Sequence, residues 1–188
     1  AQVLAPHDKG IIDEVNKVEI EDVKFQADPE LIEIIGGEMD YDYMTAVKEA
    51  MIDQEVIMRQ KDLNIVYSAM HGTGRVIVPL CLRSWGFQNI HVVPEQMEVD
   101  GNFPTVISPN PENAEAMASI SSAVINSGAD LGVIFDTDVD RAGCVDHNGI
   151  EINRNRLIAL SAAIALEKEP GSTIVTDSVT SSGLKDFI

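Results

Sequence analysis

Asp136, Asp138 and Asp140 are three carboxylates at alternate positions, followed at once by Arg141. An apolar run, Leu131-Gly132-Val133-Ile134-Phe135, leads straight into them. A buried strand that delivers charge at its C-terminal end is the usual layout of an α/β site. Acidic groups held this close repel one another, so the loop calls for a cation or for protonation. An oxygen-only set suits a hard ion such as Mg²⁺, with coordination left over for phosphate oxygens and water. Fully extended, the outer carboxylates would spread over about 13 Å, at about 3.3 Å per residue. The loop must therefore curl, although the β-branched Thr137 and Val139 hold the spacer positions where glycine would ease it.

Rival chemistries fit less well. A calcium EF-hand also opens with alternating Asp, but it needs Gly sixth and Glu twelfth, where Arg141 and His147 stand. An aspartyl-phosphate phosphatase would place Asp136 and Asp138 at a strand end in the same way. The plainest alternative is a solvated acidic turn with Arg141 as internal counter-ion.

The elements that position these groups follow from hydrophobic spacing. Residues 63–67 read as a strand and His71-Gly72-Thr73-Gly74-Arg75 as a strand-to-helix turn. Residues 76–85 read as a helix with Pro79 in its first turn, stopped by Gly86, and 89–93 as the next strand. This βαβ spacing predicts parallel strands. The two glycines of the turn do not complete a dinucleotide fingerprint, because Ile77 stands where the third belongs, and no Gly-Lys-Ser/Thr follows for a P-loop. They read first as strain relief in a tight turn, second as amides facing a phosphate. His71 is a candidate hydrogen-bond donor to substrate, with a structural role as its alternative.

Elsewhere, residues 9–18 read as a short helix capped around Pro6-His7-Asp8, and Val23-Lys24-Phe25 as a short strand. Gly36-Gly37 reads as a break and 42–59 as one amphipathic helix. Residues 99–112 form a turn-rich loop in which Asn110 is expected to cap the next helix, 114–127, ended by Gly128. Gly143-Cys144-Val145 is a return strand closed by an Asn148-Gly149 hairpin turn. A helix over 154–166, a strand over 172–176 and the start of a helix at Gly183 complete the reading.

The chain has 188 residues and a formal net charge of −18. That charge leaves no basic stripe for nucleic acid or an anionic membrane. No apolar run reaches membrane-spanning length. Cys81 and Cys144 belong to no metal-ligand spacing and read as reduced thiols of a cytoplasmic protein.

Taken together the motifs resemble the α-D-phosphohexomutase superfamily, the phosphoglucomutases and phosphomannomutases. That family's metal loop is typically Asp-Gly-Asp-Gly/Ala-Asp-Arg, matched here by Asp136, Asp138, Asp140 and Arg141, with Thr137 and Val139 departing from the small spacers. The 100–104 stretch, Asp-Gly-Asn-Phe-Pro, with Pro109-Asn110-Pro111-Glu112 resembles a stretch early in its second domain. His71-Gly72-Thr73-Gly74 resembles the turn after the first strand of that domain, and Ser178-Val179-Thr180-Ser181-Ser182 the segment after the first strand of the third. Pro6-His7-Asp8-Lys9 is similar to the phosphoglucomutase and phosphopentomutase branch.

The resemblance implies a piece of a four-domain enzyme. Its fold class is then α/β: a three-layer α/β/α domain with a mixed, mainly parallel sheet, plus edges of neighbouring domains. The expected layout is residues 1–40 as the edge of a first domain, 41–150 as the second and 151–188 as the start of a third. The implied activity interconverts sugar 1-phosphate and sugar 6-phosphate, with glucose favoured, through a phosphoserine and a bisphosphate. Asp136, Asp138 and Asp140 would hold Mg²⁺, and Arg141, Asp140 and His71 would face the phosphosugar. No catalytic nucleophile is expected in this chain, since nothing matches the family's phosphoserine motif, and Ser178, Ser181 and Ser182 have no evident activating base. A non-catalytic acidic binding module is the alternative from another class.

Overall fold

The computed structural model describes residues 3–188. The chain divides into two units, residues 1–38 and 39–188. In the first, helix α1 (His7–Val15) is followed by single 3-10 turns at Ile20–Asp22 and Pro29–Leu31, and no described residue is buried. The strand expected at Val23–Phe25 does not form: among the described residues no second strand offers its backbone a ladder there.

The second unit is built on one sheet of four strands, β1 (Asn64–Ser68), β2 (Asn89–Val92), β3 (Leu131–Phe135) and β4 (Ala142–Asp146), in the order β2-β1-β3-β4. β1 runs parallel to both β2 and β3, and β4 returns antiparallel to β3. This is the mixed, mainly parallel sheet expected from the sequence. A tight turn after β4 carries the chain back to an antiparallel bridge between Val145 and Glu151. Gly149 has φ +72°, and both Asn148 and Ile150 donate their amides to the Asp146 carboxylate at 2.9 Å.

Strand periodicity sorts the two faces. Val66 and Ile134 point to one side, where they pack with Met117, Ile120 and Val124 of α5 (Ala114–Ser127) and with Val145. Gly132, between Val66 and Val145, lets α5 come close: a Cβ there would lie 2.8 Å from a Val124 methyl. Tyr67 and Phe135 alternate to the other face, their ring centroids 6.2 Å apart. That face is covered by α4 (Gly74–Trp85) and α2 (Gly37–Glu49), whose side chains enclose a 460 Å³ cavity with Phe135 and Val133. Helices on both faces of the sheet make the three layers.

Several boundaries differ from expectation. The helix expected over 42–59 is two, α2 and α3 (Gln54–Arg59). Asp53 ends the run because its carboxylate accepts the Val56 amide at 3.1 Å, a cap that starts a new helix. The helix expected from residue 42 starts earlier, at Gly37. Pro79 lies in the second turn of α4, since the helix begins at Gly74, and there it removes one intrahelical donor. Asn110 does not cap α5. Its carboxamide accepts the Glu112 amide at 3.0 Å in a turn of its own, and Asn113 holds the cap position. Residues 172–176 pair with no strand among the described residues, so the expected strand does not form. They lie between α6 (Arg154–Lys168) and α7 (Gly183–Phe187).

Candidate metal centre and its supporting turn

Adjacency of β1 and β3 in parallel brings their C-terminal ends to one edge of the sheet. The 69–74 turn after β1 therefore meets the 136–141 loop after β3. Thr73 donates its amide and its hydroxyl to the Thr137 carbonyl, at 2.9 and 3.0 Å. Gly72 is the reason they can come so close, because a Cβ on it would sit 2.5 Å from the Thr137 carbonyl oxygen. The first glycine of the turn is thus required by contact with the acidic loop. Gly74 leaves room for the Tyr67 hydroxyl, which a Cβ would approach to 2.5 Å.

The loop does curl. Val139 takes φ +67°, a left-handed conformation that costs a β-branched residue energy and that glycine would adopt freely. The curl draws one carboxylate oxygen each of Asp136, Asp138 and Asp140 to within 4.8 Å of one another. Oxygens on one Mg²⁺ stand about 3 to about 4.2 Å apart at ordinary bond lengths. The donor set is all carboxylate and a small contraction closes it, so these residues fit a hard divalent ion.

The three carboxylates are not equivalent. Asp136 is fully buried and anchors the loop. Its Oδ1 accepts the amides of Asp140 and Arg141 at 3.0 and 2.9 Å, and its Oδ2 accepts Nε of Arg141 at 2.8 Å. Oδ2 keeps one lone pair for an ion. Asp138 and Asp140 are exposed, and Asp138 makes no side-chain hydrogen bond among the described residues. Burial pushes Asp136 up, but the Arg141 amide, the contact with Asp140 and the guanidinium together hold it below the usual carboxylate range. Asp140 moves the other way, raised first by the Asp136 carboxylate and then by the charge of Asp138. One anchored anion beside two exposed ones is a site whose repulsion a cation would relieve.

Arg141 lies where its ion-pair role is explicit. Nε bridges Asp136 and, at 3.4 Å, Asp140, and these carboxylates raise its pKa further. No side-chain bond engages its terminal Nη groups among the described residues, so it clamps the loop with Nε and keeps a fork for a ligand. Asp140 also lines a 720 Å³ groove with Arg154, Thr176, Asp177 and Thr180.

His71 is placed differently from a substrate donor. It is 2% exposed. Nδ1 lies 2.9 Å from the Glu98 carbonyl and Nε2 lies 2.8 Å from Thr105 Oγ1. Both ring nitrogens are thus satisfied inside the protein, in the structural role read as its alternative. Residue type and spacing do not single out Thr105 or the buried Gln96 and Ser68, the polar partners that complete this cluster. Thr73 could have been singled out, as the polar residue between the two glycines of the turn.

Residues 41–149 match the family description "Phosphoglucomutase/phosphomannomutase, alpha/beta/alpha domain II". A phosphomannomutase/phosphoglucomutase of Pseudomonas putida is 35% identical over 117 residues, which are 62% of this chain and 24% of that protein. A phosphoglucomutase of Staphylococcus haemolyticus is 37% identical over 131 residues, 66% of this chain and 24% of its own length. A solved phosphoglucomutase/phosphomannomutase family protein from Burkholderia thailandensis superposes with a TM-score of 0.53 and 26% identity, covering 63% of this chain and 26% of that one. The fold is shared as well with a solved phosphomannomutase, described as putative, from Thermus thermophilus (TM-score 0.60, 20% identity, 70% of this chain and 29% of that one). The chain spans 24% of the length of each of these two curated relatives. With its α/β/α layers and its acidic loop at the end of β3, this chain belongs to the phosphoglucomutase/phosphomannomutase family, through that family's second domain.

Proposed function

We propose that this chain is the part of a phosphohexomutase that supplies the metal-binding loop for moving a phosphoryl group between the 1- and 6-positions of a hexose, glucose being the favoured sugar. The observation that carries the reading is the convergence of Asp136, Asp138 and Asp140 on one point, beside an arginine with free donors. Mg²⁺, when bound, offsets the negative charge that builds on a phosphoryl group in flight. Asp136 fixes the position of that charge, because it is buried and tied to two main-chain amides. Asp138 and Asp140, both exposed, would supply the other two carboxylates to the ion. Arg141 holds Asp136 with Nε and offers its Nη groups to phosphate oxygens as a fork.

The phosphoserine that donates the phosphoryl group is assigned to the longer protein, since no residues here match its motif. In the same reading residues 1–40 belong to the edge of a first domain, 41–150 to the second and 151–188 to the start of a third. A cytoplasmic site of action is part of it, supported by Cys81 and Cys144, both free thiols. Among the described residues no helix is long and apolar enough to cross a membrane.

The test uses glucose 1-phosphate. The full-length protein converts it to glucose 6-phosphate in Mg²⁺ and loses that turnover in Asp138→Ala, while the 188-residue chain alone shows none. Undiminished turnover in Asp138→Ala would sink the metal-loop reading. Robust turnover by the chain alone would sink the placing of the nucleophile.

A further inference from the structure

β3 has a hydrogen-bonded neighbour on each side, yet its two faces are not equally covered. Ile134 is fully buried beneath α5. Val133 and Phe135, on the opposite face, are only half-buried. An interior strand with helices on both faces ordinarily buries both sets of side chains. Val133 and Phe135 instead border the 460 Å³ cavity that α2 and α4 enclose. Two buried polar atoms on this side of the sheet, Tyr67 Oη and Trp85 Nε1, have no hydrogen-bond partner among the described residues. Packing here is incomplete in both its apolar and its polar parts.

The cavity has a definite chemistry. Its volume falls within the range of small-molecule sites, about 300–1,000 Å³. One apolar face of α4 forms most of the wall, and Tyr43, Trp85 and Phe135 set three aromatic rings in it. The lining residues all belong to the second unit. Two of them are charged, Asp40 and Asp138, and no lysine, arginine or histidine stands among the rest. Both carboxylates are exposed, which places them where the cavity meets solvent. Neither has an ion pair or a side-chain hydrogen bond among the described residues. The formal net charge of −18 adds a field of the same sign.

An anion is repelled by that rim, and a strongly hydrated small cation gains nothing from an apolar wall. A ligand with an apolar body and one positive charge uses both parts. The wall takes the body by area, the rings attract the cation by their faces, and the carboxylates pair with it.

We infer that the cavity between α2, α4 and β3 is a binding site for a hydrophobic ammonium ion of the arylalkylamine class. Its apolar body lies against Phe135 and Trp85, and its charge sits between Asp40 and Asp138. Asp138 is also one of the acidic trio, so the amine and a divalent ion draw on one carboxylate and each weakens the other's binding. That competition rests on the metal-loop reading above, whereas the amine site does not.

The experiment titrates the 188-residue chain with phenylpropylamine in metal-free buffer. Binding is read by the fluorescence of Trp85, the chain's single tryptophan, and by ¹⁵N NMR shifts of backbone amides. Phenylpropanol and phenylpropionate, the neutral and anionic counterparts, are titrated alongside. The amine is expected to bind with a Kd of about 1 mM or tighter, as fits about ten heavy atoms, and to shift the Val133 and Phe135 amides. The alcohol should bind roughly fivefold more weakly and the carboxylate more weakly still. Asp40→Asn, an exposed substitution, should weaken the amine roughly threefold and leave the alcohol unchanged. No saturation by about 10 mM overturns the inference, as do equal affinities for the three compounds or shifts confined to other segments. Undiminished amine binding in Asp40→Asn overturns the placing of the charge. Mn²⁺ is then added and its own binding followed by water-proton relaxation. Unchanged amine affinity while Mn²⁺ binds overturns the competition. If Mn²⁺ does not bind, the competition falls with the metal-loop reading, and the amine site stands on the metal-free titrations.

Discussion

Thr73 holds Thr137 by two hydrogen bonds to one carbonyl, from residues 64 apart in the sequence. The bond pair joins the glycine-bearing turn after β1 to the acidic loop after β3. Through it the loop's shape depends on a turn that contributes no ligand.

Gly72→Ala should therefore disturb the acidic loop without touching a carboxylate. The added methyl would run into the Thr137 backbone, which cannot swing aside as a side chain can. The expected cost is about 1–3 kcal/mol, as for overpacking elsewhere, together with weakened Mn²⁺ binding. Chemical denaturation and a Mn²⁺ titration of the same sample check both.

Tyr67→Phe should leave stability unchanged or raise it by about 1 kcal/mol, because the buried hydroxyl has no hydrogen-bond partner among the described residues. Burial also pushes its phenol well above the usual tyrosine range, so the ionised form plays no part near neutrality. Thermal unfolding of the two proteins side by side decides it. A clear loss of stability would point to a bond that the hydroxyl makes in solution.

The two shifted carboxylates make opposite contributions to acid stability. Asp136 is held below the ordinary value of 3.8, so its contribution is present above that pH and is lost as pH falls through its lower folded value. Asp140 is raised, so its contribution is present below 3.8 and is lost as pH rises. In metal-free buffer at neutral pH, Asp140→Asn should then raise the melting temperature while weakening Mn²⁺ binding. Asp136→Asn should lower the melting temperature and flatten its dependence on pH below about 4. Melting curves in EDTA across that range, repeated with Mn²⁺, give both signs.

Arg141→Ala should lower the melting temperature, since it leaves the buried Asp136 carboxylate without its guanidinium. Asp136→Asn combined with Arg141→Ala should cost less than the two single changes added together. A double-mutant cycle measures that coupling, and strict additivity would show that the clamp contributes nothing.

Much of this fold is legible because it is local. A five-residue apolar strand, an Asn-Gly hairpin and helices of regular spacing declare themselves within short windows, and β3, β4 and α5 lie where the pattern puts them. Residues 172–176 and Val23–Phe25 fail to form strands for the complementary reason. Strand character in a window is not a ladder, and a ladder needs a neighbour that the window does not contain.

The acidic trio and its suitability for a divalent ion could be read from residue types and spacing alone. What the chain could not disclose locally is how the ends of β1 and β3 would meet. That follows from the strand order β2-β1-β3-β4, which is settled by packing between distant residues. Only the folded chain therefore decided that Gly72 serves the Thr137 backbone, that Val139 takes the left-handed turn and that His71 is spent on Glu98 and Thr105. Side-chain chemistry is written in the residue names, but partners are assigned by which segments the core brings together.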